Sequence, residues 1–152
     1  MVASTAKDGL QSLRVEKEIV IHAPLDIAYE CLLEELGPAC ELPGKPMPMV
    51  FEAWPGGRWF RDLGDQSGHL WGHVQVIKPQ ALIEITGPLF MSYPAINHLR
   101  YKLVAEGVGT KLTLLHRAFG EIEPEHRSGV NEGWGNSLAR MQQLAATRAR
   151  SK

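Results

Sequence analysis

The sequence predicts an α+β domain, one antiparallel sheet of about six to seven strands with a long C-terminal helix laid on it. Trp134, Leu138, Met141 and Leu144 recur at spacings of four, three and three, which puts them on one face of a helix. The long stretch before them reads almost entirely as strands and turns. With 152 residues and 44% hydrophobic content, the chain can bury one sizeable core, so a single domain is expected over 13–148, between a flexible N-terminus (1–12) and a short tail (149–152). An amphipathic helix that ends an antiparallel β domain must lay its apolar face on the sheet. Trp134, at the start of that face, is then a lid over a hollow.

Each element follows from local pattern. From Ser12 to Ala23, Leu13, Val15, Ile19 and Ile21 nearly alternate with charged residues, the mark of a half-buried strand. Pro24 suits a helix entry, and Ile27, Cys31, Leu32 and Leu36 recur at helical period up to Gly37-Pro38. Between Gly37 and Pro55 stand Pro38, Pro43, Pro46, Pro48 and Pro55; this density of residues without an N–H predicts a loop with at most a short edge strand near Met49–Ala53. Strands are then expected at Arg58–Leu63, His69–Ile77, Ala81–Thr86, Asn97–Ala105 and Thr110–Ala118, separated by Gly- and Pro-containing turns. Gly120–Arg127 reads as an acidic loop. The final helix should run from about Glu125 or Ser128 to Arg148, its basic end matching the negative pole of the helix dipole.

Lys and Arg total 16 against 17 Asp and Glu, a balance without the basic footprint of nucleic-acid or anionic-membrane binding. The first thirteen residues lack the apolar run of a signal peptide and no stretch approaches membrane-spanning length, so a cytoplasmic location is expected. Cys31 and Cys40 lie nine apart with no CxxC spacing, which predicts ordinary buried or half-buried thiols rather than a disulfide framework or a zinc site.

Several short pieces, in order, carry a resemblance. They are Ile19-Val20-Ile21-His22-Ala23-Pro24, Pro55-Gly56-Gly57-Arg58-Trp59, Gly72 with Val74 and then Pro79 before Leu82, Gly109-Thr110-Lys111-Leu112-Thr113-Leu114 running to His116, and Gly133-Trp134 with Leu138. In these the chain resembles the START-like, helix-grip (SRPBCC) superfamily, and within it the homologues of the heat shock protein 90 ATPase activator. The resemblance spans about residues 13–148 and implies a curved sheet wrapped around the C-terminal helix, with a cavity between them. It implies a container whose contents vary across the superfamily: lipids, polyketides, hormones, aromatic substrates, chaperone partners. Two departures bear on the contents. Tyr29-Glu30-Cys31-Leu32-Leu33 stands where many relatives place a Trp, and the Pro-rich segment replaces the usual aromatic pair. The activator carries a separate additional domain for which this chain has no room, which weighs against a chaperone role.

Candidate site residues divide by chemistry. Trp54, Trp59, Phe60, Phe90, Met91, Tyr93, Tyr101, Trp134 and Met141 are numerous for one small domain and suit an adaptable apolar pocket, although many must serve the core. The segment Gly87–Pro94 is too apolar for a free loop and is expected to fold over the mouth. His69, Trp71 and His73 share a strand face; on a strand the two histidines lie about 13 Å apart, too far to share a metal. Either that face lines the cavity, or Leu70, Val74 and Val76 point inward and Trp71 marks a homodimer contact on the outside. His116 shares the core parity of Leu112 and Leu114, where a lone His is commonly a satisfied core residue. Arg61, near Trp59 and Asp62, is either ion-paired on the strand face or an anchor for a ligand carboxylate. Glu121, Glu123, Glu125 and His126 read as a solvated loop and helix start.

The expected function is binding of a small hydrophobic or amphipathic molecule by Trp59, Arg61, Trp71, His73, Met91, Tyr101, His116, Trp134, Leu138 and Met141. No catalytic set, metal site or cofactor is expected. A cyclase- or hydrolase-like enzyme would need His116 or His73 paired with a carboxylate across the pocket. A chaperone-related interaction module and a homodimer presenting its outer sheet face are further readings.

Overall fold

The computed structural model describes residues 9–151; residues 1–8, most of the span expected to be flexible, lie outside them. β1 (Gln11–Ile21) begins within that expected span and leads through Ala23-Pro24 into α1 (Leu25–Leu36). The Pro-rich segment holds more pairing than its prolines suggest: β2 (Glu41–Leu42) and β3 (Lys45–Pro46) form a separate small hairpin, and β4 (Val50–Phe51) joins the main sheet edge. Prolines are tolerated there because short edge strands leave their N positions unpaired. β5 (Arg58–Gly64), β6 (Ser67–Lys78), β7 (Leu82–Gly87), β8 (Ala95–Glu106) and β9 (Gly109–Gly120) follow, and α2 (Pro124–Arg150) closes the chain. Pro124 at the helix entry lacks an N–H that would have no partner there, and Arg148 and Arg150 lie at the carbonyl end.

The seven-stranded antiparallel sheet has the order β1-β9-β8-β7-β6-β5-β4. Its inner face and the apolar faces of α1 and α2 enclose one core, in which Ile21, Ile83, Ile85, Leu99, Leu112 and Leu114 are fully buried. Val130, Trp134, Leu138, Met141 and Ala145 form the buried stripe of α2, and Leu144 packs beside it. This is the helix-grip arrangement, a curved sheet holding a long C-terminal helix. α2 also meets α1 through charge: Arg148 pairs with Glu34 and Glu30, and Arg140 with Glu35. Side chains of α2 cover the free edge of β1, with Arg127 donating to the Ser12 carbonyl (2.9 Å) and Gln142 to that of Val20 (2.9 Å).

Neither alternation expected for the strand at 69–77 holds. Trp59 pairs with Gly72 but Phe60 with Leu70, so Trp71 is an extra residue, a β-bulge. The bulge resets the parity: Trp71 turns inward and packs against the core, His73 lies on the outer face opposite Arg58, and His69, opposite Arg61, is exposed as well. Val74 is buried, Leu70 is 47% exposed and Val76 is intermediate. The exposed aromatic expected as a dimer mark on the outer face is therefore absent from it at Trp71. Gly72 and Gly87 make the bulge fit, since a Cβ on Gly72 would sit 2.6 Å from the Thr86 carbonyl oxygen and one on Gly87 2.5 Å from the Gly72 Cα.

Candidate functional site

A cavity of about 220 Å3 lies between the sheet and α2, beside the C-terminal end of α1. One side is aromatic, made by Trp59 of β5, Trp71 of β6, Tyr101 of β8, Phe90 of the β7–β8 connection and Trp134 of α2. The rings meet at steep angles. Trp59 and Trp71 lie 5.0 Å apart at 74°, Trp71 and Phe90 5.7 Å apart at 71°, and Phe90 and Trp134 6.2 Å apart at 58°. Edge-to-face contact satisfies the ring quadrupoles and fixes the wall. Trp59 is also anchored by its indole N–H, which donates to the Leu36 carbonyl (2.7 Å), one of the orphan acceptors at the end of α1.

Beside Trp134, α2 gives the cavity His126, Gly129, Gly133, Ser137 and Arg140, at spacings of three and four on one helix face. Gly129 and Gly133 leave that face bare, because a Cβ built on either meets no atom within 4 Å. Glycine inside a helix costs about 1 kcal/mol relative to alanine. No close packing within the protein demands it here.

The end of the cavity near α1 is polar. Glu35, 6% exposed, accepts from the Ser137 hydroxyl (2.7 Å) and from Arg140 Nη2 (2.9 Å). Burial raises the Glu35 carboxyl above its ordinary range, against the opposing pull of Arg140 and Ser137. Arg140 Nη2 donates also to the Glu41 carbonyl (3.2 Å), while its buried Nε has no partner. Burial also pushes the Tyr101 phenol up and the Cys40 thiol up to about 11, so Cys40 is no thiolate nucleophile near neutral pH. At the other end His126 Nδ1 and the Tyr93 hydroxyl are 2.7 Å apart, and the His126 ring lies 5.4 Å from Phe90.

His116 stands behind Trp134. The indole N–H of Trp134 can only donate, so His116 Nδ1 accepts (2.9 Å), which leaves the proton on Nε2 to be donated to Asn97 Oδ1 (2.6 Å). Asn97 Nδ2 in turn donates to the Pro88 carbonyl (3.1 Å). Both imidazole nitrogens are thus occupied in a neutral ring, and burial lowers its pKa to about 4. No carboxylate takes part.

Of the ten residues expected to bind ligand, Trp59, Trp71, Tyr101 and Trp134 come together on the cavity. His116, Met91, Leu138 and Met141 are buried around it without lining it. Arg61 and His73 are not brought to it: Arg61 is half-buried opposite His69 at a position outside the cavity, and His73 is exposed opposite Arg58. Phe90, from the segment expected over the mouth, does line the cavity, with Leu89 N–H tied to the Trp71 carbonyl (2.7 Å). His126, read from sequence as solvated, lines it too. Glu35, Ser137 and Arg140 carried no sequence assignment; the one available signal was a charged residue at the buried helical phase of Ala28, Cys31 and Leu32. Among the described residues, no group of three or more His, Cys, Asp or Glu is placed to hold a metal ion, and no helix is long and apolar enough to cross a membrane.

Fold and cavity together define the class, a helix-grip α+β domain of the SRPBCC superfamily. Residues 44–146 match the family model for Activator of Hsp90 ATPase homolog 1-like protein, and the chain belongs to that family. No curated protein matches it. Solved structures similar to it include a protein of Rhizobium leguminosarum (TM-score 0.71, 16% identity, 91% of this chain and 97% of that one) and the protein CV1439 of Chromobacterium violaceum (TM-score 0.69, 19% identity, 87% and 96%). DynU16, a protein of the dynemicin biosynthetic locus, is similar over 91% of this chain and 49% of its own (TM-score 0.67, 15% identity). At these identities the likeness is one of fold.

Proposed function

We propose that the chain binds a small hydrophobic or amphipathic molecule in the cavity between its sheet and α2. The observation that carries this reading is the bare glycine face of α2 on a cavity that five aromatic side chains also line. Two glycines weaken the helix by about 2 kcal/mol together, and both stand exposed on the open side of the cavity. A space walled by rings, with convergent polar groups at one end, is the common form of a small-molecule site. The membership of a container-like superfamily agrees with it. An acid–base enzyme has less support, since His116 is neutral and spent on Asn97 and Trp134, and His73 is outside.

An environment-sensitive apolar dye is expected to bind the native protein saturably and to be displaced by a second hydrophobic molecule. Gly133→Leu should abolish that binding by filling the space beyond the helix, while the unfolding free energy stays level or rises by up to about 1 kcal/mol. Loss of binding without loss of stability is the signature of a site. Dye bound only by partly unfolded protein, or bound equally by Gly133→Leu, would sink the reading.

A further inference from the structure

We infer that the cavity selects by charge, taking an organic cation, an amine or quaternary ammonium on an apolar body, over its uncharged isostere and over a carboxylate. The inference rests on the cavity being a binding site. Its ground is the set of groups on the lining. Glu35, Glu41 and Glu125 line the space, against a single guanidinium, Arg140. That guanidinium is already committed, with Nη2 on the Glu35 carboxylate and on the Glu41 carbonyl. Among the described residues, Glu41 and Glu125 have no ion-pair partner, so two carboxylates at the mouth remain uncompensated.

An entering carboxylate has the buried Nε of Arg140 as a donor, but it reaches that donor beside Glu35, whose oxygen is 2.9 Å from the same guanidinium. Like charges brought together in a poorly solvated pocket oppose binding. An entering cation meets the reverse. Trp59, Trp71, Phe90 and Trp134 line the space, and a cation seated over the face of any of these rings gains the attraction by which quaternary ammonium groups are recognised. It also relieves the excess negative charge of the rim. The unpartnered Arg140 Nε then serves a hydroxyl or carbonyl elsewhere on the molecule. His126, on the same lining, is occupied at Nδ1 by Tyr93, and the Cys40 thiol and Tyr101 phenol there are held neutral by burial.

The test uses three probes of nearly one shape: benzyltrimethylammonium, its uncharged carbon isostere neopentylbenzene, and phenylacetate. Binding to the full chain is followed by tryptophan fluorescence, since three of the four Trp residues line the cavity. The ammonium should bind about tenfold more tightly than the isostere, and more tightly still than the carboxylate. Glu41→Gln with Glu125→Gln, both on exposed side chains, should narrow the ammonium-to-isostere ratio several-fold. Equal affinities, a tighter carboxylate, a ratio untouched by the double substitution, or no ammonium binding where the apolar dye binds would each overturn the charge selection and leave the cavity reading standing. If neither dye nor any probe binds, the cavity reading itself falls.

Discussion

Trp134→Ala is expected to lower the unfolding free energy by about 3–5 kcal/mol, read from denaturant midpoints at constant m-value. The ring is 7% exposed, lies 5.5 Å from the His116 ring and 6.2 Å from Phe90, and links α2 to the sheet within the buried stripe. Its removal enlarges the neighbouring cavity and leaves His116 Nδ1 buried without its donor. Two causes therefore add: lost apolar burial and an unsatisfied polar atom, the latter costing about 1–3 kcal/mol. Trp134→Phe separates them, keeping most of the ring and losing the N–H, and should fall between. Trp54, 57% exposed, is the control, and its Ala variant should lie within about 0.5 kcal/mol of the parent. A loss at Trp134 well under 1 kcal/mol would mean that the helix does not grip the sheet there.

The same residues mark how far the sequence was legible. Local period placed β1, α1, the later strands and α2 to within a few residues, because alternation and helical repeat are imposed by burial on one face. The hairpin at Glu41–Pro46 escaped notice because two-residue strands leave no period to see. The inward turn of Trp71 escaped for another reason. A bulge depends on register with β5 across the sheet, and strict alternation is what it breaks. The polar end of the cavity is still less local: Glu35 meets Ser137 and Arg140 across 102 and 105 residues of chain. Ser137, His126 and Arg140 lie on the helix face beside the Trp134 stripe, a polar face that sequence alone reads as solvated. What turned it into a wall was the approach of α1 and the Phe90 segment, which only tertiary packing supplies.

The largest pH effect is expected from His116. Its pKa, ordinarily 6.5, is lowered to about 4 in the folded chain because the buried ring cannot be hydrated and both nitrogens are already bonded. Below pH 6.5 the unfolded state takes up a proton that the folded state refuses, so the stabilisation is full above about 6.5 and is lost as the pH falls toward 4. The span corresponds to about 3 kcal/mol. Glu35 works against this. Its raised carboxyl holds a proton in the folded state above 4.5, which adds stability as the pH falls through its own window. Glu34, held low by Arg148, loses its contribution as the pH drops below its ordinary 4.5. The measurement is therefore a difference: unfolding free energy of the parent minus that of His116→Gln, from pH 7.5 to 4, in which the carboxylates common to both cancel. Gln can still accept from Trp134 and donate to Asn97 but does not titrate, so the difference should shrink steadily by about 3 kcal/mol between pH 6.5 and 4. Ring-carbon NMR shifts of His116 should stay those of the Nε2–H tautomer down to about pH 5. A flat difference curve, or a His116 ring that titrates near 6.5, would show that Trp134 and Asn97 do not hold it in a dry core.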